Sequence, residues 1–484
     1  MKSFLSLAVF EWKRLLRSRM RAFAIVVFLL CGIYAIESGV RHLDAWKWTL
    51  EELELREKTQ REQARGWFDS GQTGPGGRSA VNITQPRYAD RYAVAHAVMD
   101  PEPLAALAIG LSDIRSSWAS VSAMSGARPF QTSDPSTLGN AEKLLAGNFD
   151  LVFVFAYLMP LLLLVLLFDV GTLERDLGMM RLVRTQSRSA RGWWLQRLAL
   201  PIGGVVGLVL ILCVIGGLWT GALGVSFDSW IAFTALSIGY TLLWGALFGA
   251  VLSAGTGTSA AAIWMVGLWL AFCVLVPAAV RQVVSRDYPS LYSTELTSVL
   301  RAERYEILLG DAEFYEKPFY EKRTHLNRPP AGTPRGVASN MNRMVRQAAF
   351  LDVVDDVTVK MADIETKREK AVAQFGWVNP AYVLQRALCV LAGTESVSYR
   401  QHRQDVFDGV SSRLEELIES QWSGDPIDRA QFEGLLAYGP RKGYGLPPEG
   451  GTYVQLLVLT ALGLVAGVFF GGRRKKRERE TGVV

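Results

Sequence analysis

Histidine and cysteine are scarce, four of each in 484 residues, and that scarcity removes most of the usual catalytic machinery. His42, His96, His325 and His402 are scattered, and none belongs to an HExxH zinc motif. No GxSxG nucleophile elbow occurs. Cys31, Cys213 and Cys273 fall inside apolar runs, where a thiol behaves as a small hydrophobe. Cys389 is expected outside the membrane without a partner. With no CxxC spacing either, neither a disulfide framework nor a Cys/His metal site is expected. A Walker A sequence is also missing. The Gly/Pro-rich loop at 71–79 resembles a phosphate cradle only superficially, because it lacks the lysine and follows no strand. The chain therefore reads as a non-enzyme with no cofactor of its own.

Charge is missing from several long runs, and those runs organise the chain. Residues 151–168 are eighteen uncharged positions bounded by Asp150 and Asp169. About 20 apolar residues at roughly 1.5 Å rise cross a hydrocarbon core. Similar runs lie at 22–36, 198–219 and 453–470. From Ser229 to Val280 there are fifty-two residues without a charge, the length of two crossings, with a Gly/Ser/Thr turn at 253–259. The expected fold is all-α: a polytopic membrane protein with six transmembrane helices, an N-terminal interfacial helix and two mostly helical extracytoplasmic insertions. In order, 1–21 is the amphipathic helix, 22–40 the first span and 41–150 the first insertion. Then come the second span (151–168), a polar segment (169–197), spans three to five (198–280), the second insertion (281–451), span six (452–472) and a basic tail (473–484).

The net charge of +6 hides a strong asymmetry. Residues 1–21, 169–197 and 473–484 together hold 18 Lys and Arg against 6 Asp and Glu, whereas the rest holds 34 against 40. Basic residues near membrane helices stay on the cytoplasmic side, so these three stretches and both termini are placed there. The basic clusters abut apolar spans, which points to anionic lipid headgroups and away from nucleic acid. In 1–21, Phe4, Leu5, Ala8, Trp12, Leu15 and Leu16 share one helical face; a signal peptide is set aside because no small-residue cleavage site follows. No ionisable residue lies mid-span, which argues against an ion-coupled transporter.

The insertions read as helical. A charged run at 43–67 continues span one, with Trp46 and Trp48 expected at the interface. Helices are expected at 291–309, 336–375, 380–392 and 396–421, with a Pro-rich loop at 327–334. In 336–375, Val337, Met341, Met344, Ala348 and Leu351 form a stripe that must bury itself against another helix. Asp352, Asp355 and Asp356 read as a solvated or salt-bridged helix face in preference to a metal site.

Within the polar segment, ERDLGMMRLVRTQSRS (174–189) resembles the cytoplasmic coupling segment of the type-2 ABC transporter permease superfamily. Glu174, Arg175, Gly178, Arg181, Leu182 and Ser187 match its pattern. Asp176 stands for a glutamate, Met179 and Met180 replace a Thr-Leu pair, and the usual proline is missing. NPAYVLQRALCVLAGTE (379–395) is similar to a recurring stretch in a bacterial subfamily whose large extracytoplasmic domains have no assigned function. Pro380 would start that helix and Gly393 stop it.

That resemblance implies a permease subunit of the bacterial inner membrane. It implies two ABC ATPase subunits, carrying ATP and Mg, docked on Thr172, Leu173, Glu174, Arg175, Asp176, Leu177, Gly178, Met179, Arg181, Leu182 and Arg184. A second permease subunit, identical or homologous, would pair with it in the membrane. The output would be export of a substrate, or mechanical work on a periplasmic partner. The alternative is a membrane-anchored sensor or assembly scaffold acting through its ectodomains.

Overall fold

The computed structural model describes residues 17–75, 81–124, 148–186, 190–288, 293–309, 311–447 and 450–480. The chain is mostly helical. Helices α1 (Arg19–Asp69), α2 (Leu151–Leu167), α3 (Ala190–Thr220), α4 (Phe227–Ser253) and α5 (Thr258–Asp287) pack into an apolar bundle. A head follows, built from α6 (Ser293–Leu309), α7 (Ala312–Lys322), α8 (Arg335–Gln374), α9 (Pro380–Leu391) and α10 (Ser396–Ser423). Helix α11 (Gly450–Glu480) then returns to the bundle. Among the described residues five helices, α1, α3, α4, α5 and α11, contain stretches long and apolar enough to cross a membrane; α2 is apolar but shorter.

Helix α1 has no proline over 51 residues and runs without a break from bundle to head. Its described start is Arg19, after an extended Ser18, so residues 19–21 belong to this helix and not to a separate interfacial one. Residues 1–16 of the expected amphipathic helix lie outside the described residues. Trp46 is not an interfacial aromatic: it is buried with Leu43, Leu50 and Leu53 against Met99 and Tyr399, while Trp48 is exposed.

Prolines inside the bundle leave backbone carbonyls without a helical donor, and buried carbonyls must find one. Pro160 cannot donate to Ala156, and the helix widens into a π turn at Val154–Leu158. The Tyr240 hydroxyl donates to the Ala156 carbonyl at 3.0 Å, and Trp269 Nε1 donates to the Tyr157 carbonyl at 3.1 Å. Helix α5 repeats the device, with a π turn at Ala271–Leu275 ahead of Pro277. Helix α11 packs on α4 through small residues. A Cβ on Gly463 would sit 3.2 Å from the Ala246 Cβ, and Gly467 faces Ala250. Such GxxxG faces let membrane helices approach closely.

The head departs from the expectation in four ways. First, it is not all-α. Strands β1 (Ala95–Met99), β2 (Trp118–Val121) and β3 (Arg441–Lys442) form a small sheet in the order β2-β1-β3. Ala95 lies opposite Val121 in the antiparallel pair, and Val98 beside Arg441 in the parallel one. Second, 41–150 and 281–451 share a core and are not two bodies. Ala64, Ile83 and Ala95 pack with Val345, Val354, Val410 and Phe432. The α8 stripe buries itself against α6, α7 and α10, and α10 in turn packs on the strands and short helix of the first insertion. Third, α7 is a helix where none was expected, between those at 291–309 and 336–375, with Pro318 tolerated inside it. Fourth, α9 belongs to the bundle core. Ala381, Leu384, Leu388 and Cys389 pack there, so Cys389 is buried and not exposed outside. Asn379 caps α9 by accepting from the Tyr382 N–H, and Gly393, at φ +68°, ends it.

One buried ion pair fastens the shared core. Arg413 donates through Nε to Asp90 Oδ1 at 2.8 Å, and its other nitrogens reach the carbonyls of Asp90, Ala93 and Leu435. Asp90 also accepts from Ser122 Oγ and from the N–H groups of Ala123 and Met124. Removing one partner of such a pair strands a buried charge at about 3–5 kcal/mol. Arg413→Met is expected to lower the thermal midpoint of the detergent-solubilised protein by several degrees, and Asp90→Asn in the same chain to recover part of it. An unchanged midpoint in the single variant contradicts this role.

Candidate functional site

The polar segment between α2 and α3 folds as an elbow at one end of the bundle, called the basal end here. Leu173–Asp176 makes a single helical turn, Gly178 reverses the chain at φ +70°, and Met180–Gln186 forms a second short helix. Only glycine adopts that φ without strain, and nothing lies within 4 Å of where its Cβ would be.

Glu174, Arg175 and Asp176 each make a polar contact with the bundle. Glu174 pairs with Arg197 at the base of α3, and both side chains are largely buried. The second Glu174 oxygen accepts from the Gly171 N–H at 3.1 Å. Arg197 also lies 5.0 Å from the centre of the Trp193 ring. Arg175 Nη1 donates to the Thr256 carbonyl at 2.8 Å, and Asp176 accepts from the Thr258 N–H at 2.9 Å. The elbow is thereby latched to the turn between α4 and α5. Thr172 is fully buried and returns its hydroxyl to the Phe168 carbonyl. One step upstream, Asp169 pairs with Arg21 of α1. A ring of polar contacts thus joins the basal ends of α1, α2, α3 and α5.

Three large apolar side chains of the elbow are left exposed. Leu177, Met179 and Leu182 are 64 %, 46 % and 50 % exposed. They form a knob beyond the bundle, flanked by the left-handed Gly178. Leu173 is half-buried at the start of the turn. The backbone of Arg181 and Arg184 lies on Met180–Gln186, while their side chains fall outside the described residues. The chain matches no protein-family model, no curated protein and no solved structure.

The residues expected as a docking surface therefore divide into two groups. Glu174, Arg175 and Asp176 hold the elbow to the bundle, and Leu177, Met179 and Leu182 stand outward. Sequence reasoning missed the holding partners Arg21, Thr256 and Thr258. Their only signal is position: each sits where an apolar run meets a polar turn.

The Thr258 hydroxyl and the Thr258 N–H, which donates to the carboxylate, hold the Asp176 carboxyl below its ordinary range. A lowered carboxylate contributes above its unfolded pKa and stops contributing as pH falls through the folded one. The Asp176–Thr258 tie is thus intact at neutral pH and released only in acid. Breaking the more buried pair acts at any pH. Glu174→Gln is expected to speed hydrogen exchange of the 171–177 amides by roughly tenfold or more, leaving the head unchanged. Equal protection in variant and parent contradicts the latch.

Proposed function

We propose that this chain is the permease subunit of an ABC transporter of the bacterial inner membrane, driven by separate ATPase subunits at the basal end. In this reading the basal end faces the cytoplasm, the head lies outside, α2 serves as a sixth span, and both termini are cytoplasmic. Two ATPase subunits, carrying ATP and Mg, bind below two permease subunits.

The observation that carries the reading is the latched elbow. An exposed apolar knob of Leu177, Met179 and Leu182 is costly on a monomer's surface and characteristic of a contact with a partner. Its rigid attachment to three bundle helices means that a push on the knob reaches them together. The crowding of lysine and arginine into the three basal stretches supports the same orientation.

Helix α1 favours mechanical output over simple passage of a solute. At about 1.5 Å per residue its 51 residues reach roughly 75 Å, from the Arg21–Asp169 pair to the head. There Arg65 pairs with Glu433, and Phe68 packs on Phe432 with ring centres 5.4 Å apart. A tilt at the elbow would be passed along this rod to an extracytoplasmic partner, a rigid-body mode of switching.

Affinity purification tests the proposal. The tagged chain is expected to bring down an ATPase subunit encoded beside it. Leu177→Ser with Met179→Ser, both at exposed positions, should cut that recovery by about tenfold. No ATPase with the parent chain, or equal recovery with the variant, contradicts it.

A further inference from the structure

A cavity of about 600 Å³ opens where α5 meets the head. Part of its lining is apolar, from Pro277, Val280 and Val284 of α5 with Met361 and Ile364 of α8. The rest of the wall is charged. Arg115, Arg281 and Arg368 line it together with Glu365, Glu369 and Glu395.

The carboxylates of that wall are already engaged. Arg400 donates to both oxygens of Glu369 at 2.5 and 2.8 Å, and Ser396 donates to it as well. Burial pushes the Glu369 carboxyl up, but these bonds overcome it and hold the group below its ordinary range. Glu365 is paired with Arg403 at 3.2 Å and lies 3.8 Å from Arg115. Glu395 accepts from the Val397 N–H at 3.0 Å. Arg281 and Arg368, by contrast, make no hydrogen bond or ion pair among the described residues. With Arg400 and Arg403 behind the lining, five guanidinium groups meet three carboxylates. The cavity is a positive pocket on an apolar floor.

The floor continues onto the bundle surface. Val274 and Leu275 of α5, on the bundle side of Pro277, are exposed apolar residues.

We propose that this cavity binds a phospholipid of the outer leaflet. The phosphate would lie between Arg281 and Arg368, and the acyl chains would run along α5. Guanidinium groups suit phosphate because their fork gives paired, charge-assisted hydrogen bonds. An acyl chain leaving past Pro277 towards Leu275 and Val274 would meet exposed apolar side chains of α5. The inference rests on the membrane placement proposed above and not on the ATPase partner. A chain that holds lipid here but captures no ATPase keeps this site and loses the transporter reading.

Native mass spectrometry of the delipidated full chain, titrated with palmitoyl-oleoyl phosphatidylglycerol, tests the site. The parent chain is expected to retain one phosphatidylglycerol more tightly than further ones. Arg281→Ala with Arg368→Ala should weaken that first step by about tenfold or more. Val284→Trp, which fills the floor without altering charge, should weaken it similarly. Arg286→Ala, an exposed arginine on the same helix and outside the cavity, should leave it unchanged. Equal binding by the double variant overturns the proposal. So does an equal loss in Arg286→Ala, which would make the attraction a diffuse one. Displacement of the lipid by millimolar inorganic phosphate also overturns it, because the ligand would then be a free anion and not an amphiphile.

Discussion

One uninterrupted helix ties every part of the molecule together. Helix α1 contributes Phe28, Ala35 and Ile36 to the bundle core, Leu43, Trp46, Leu50 and Leu53 to the cluster above it, and Ala64 to the head. A straight helix is a stiff rod, and this one is fixed along its length. Gly39 shows how closely: a Cβ there would lie 1.6 Å from the Ala106 carbonyl oxygen, so the backbones touch where bundle gives way to head. Polar contacts pin the two ends, Arg21 to Asp169 and Arg65 to Glu433. Unless α1 bends, a movement of the base must therefore be carried to the head.

The same constraint explains where charge is tolerated. The bundle interior meets its polar needs with neutral groups, chiefly the Tyr240 hydroxyl and the Trp269 and Trp230 indoles donating to carbonyls of neighbouring helices. Ionised pairs occur at the base and in the head. Asp150, at the junction of head and α2, is the exception. It caps α2 through the Phe153 N–H and also accepts from the Ile109 N–H, and burial raises its pKa to about 6 despite those bonds. Ionised Asp150 thus costs stability as pH rises from the ordinary carboxylate range towards 6. The cap it provides to a helix of limited length is the compensating gain.

Much of the architecture was legible in the sequence, for a physical reason. Uncharged runs bounded by aspartate or arginine mark apolar helices because charge is expelled from apolar surroundings. That logic located α2 to α5, the turn at 253–259 and α11, although α3 begins at Ala190, α5 runs on to Asp287 and α11 to Glu480, because charged helix ends lie beyond the uncharged runs. The long stripe on α8 and the capped helix α9 were legible through periodicity and end signals. What was not legible depends on partners distant in the chain. Strand β1, AHAVM, has no clear alternation and exists because Val121 and Arg441 approach it from either side. Helix α9 reads the same whether it sits on a soluble domain or in a membrane bundle, and only Leu384 and Cys389 among bundle residues reveal which. In the elbow the residue types were identified but their directions were not. Glu174 looks like part of a docking face in sequence, yet Arg197 turns it inward, and Asp176, though exposed, is tied to the Thr258 N–H.

Orientation is the claim on which the functional account rests, and site-directed labelling tests it most directly. In a cysteine-free background, Met179→Cys and Trp377→Cys place one thiol on the exposed knob and one on the exposed surface of the head. With a membrane-impermeant maleimide, the account predicts that Trp377→Cys reacts in spheroplasts whose inner membrane is intact. Met179→Cys should react only after that membrane is opened. Labelling of Met179→Cys in intact spheroplasts would put the knob outside, beyond the reach of any ATPase, and would contradict the account.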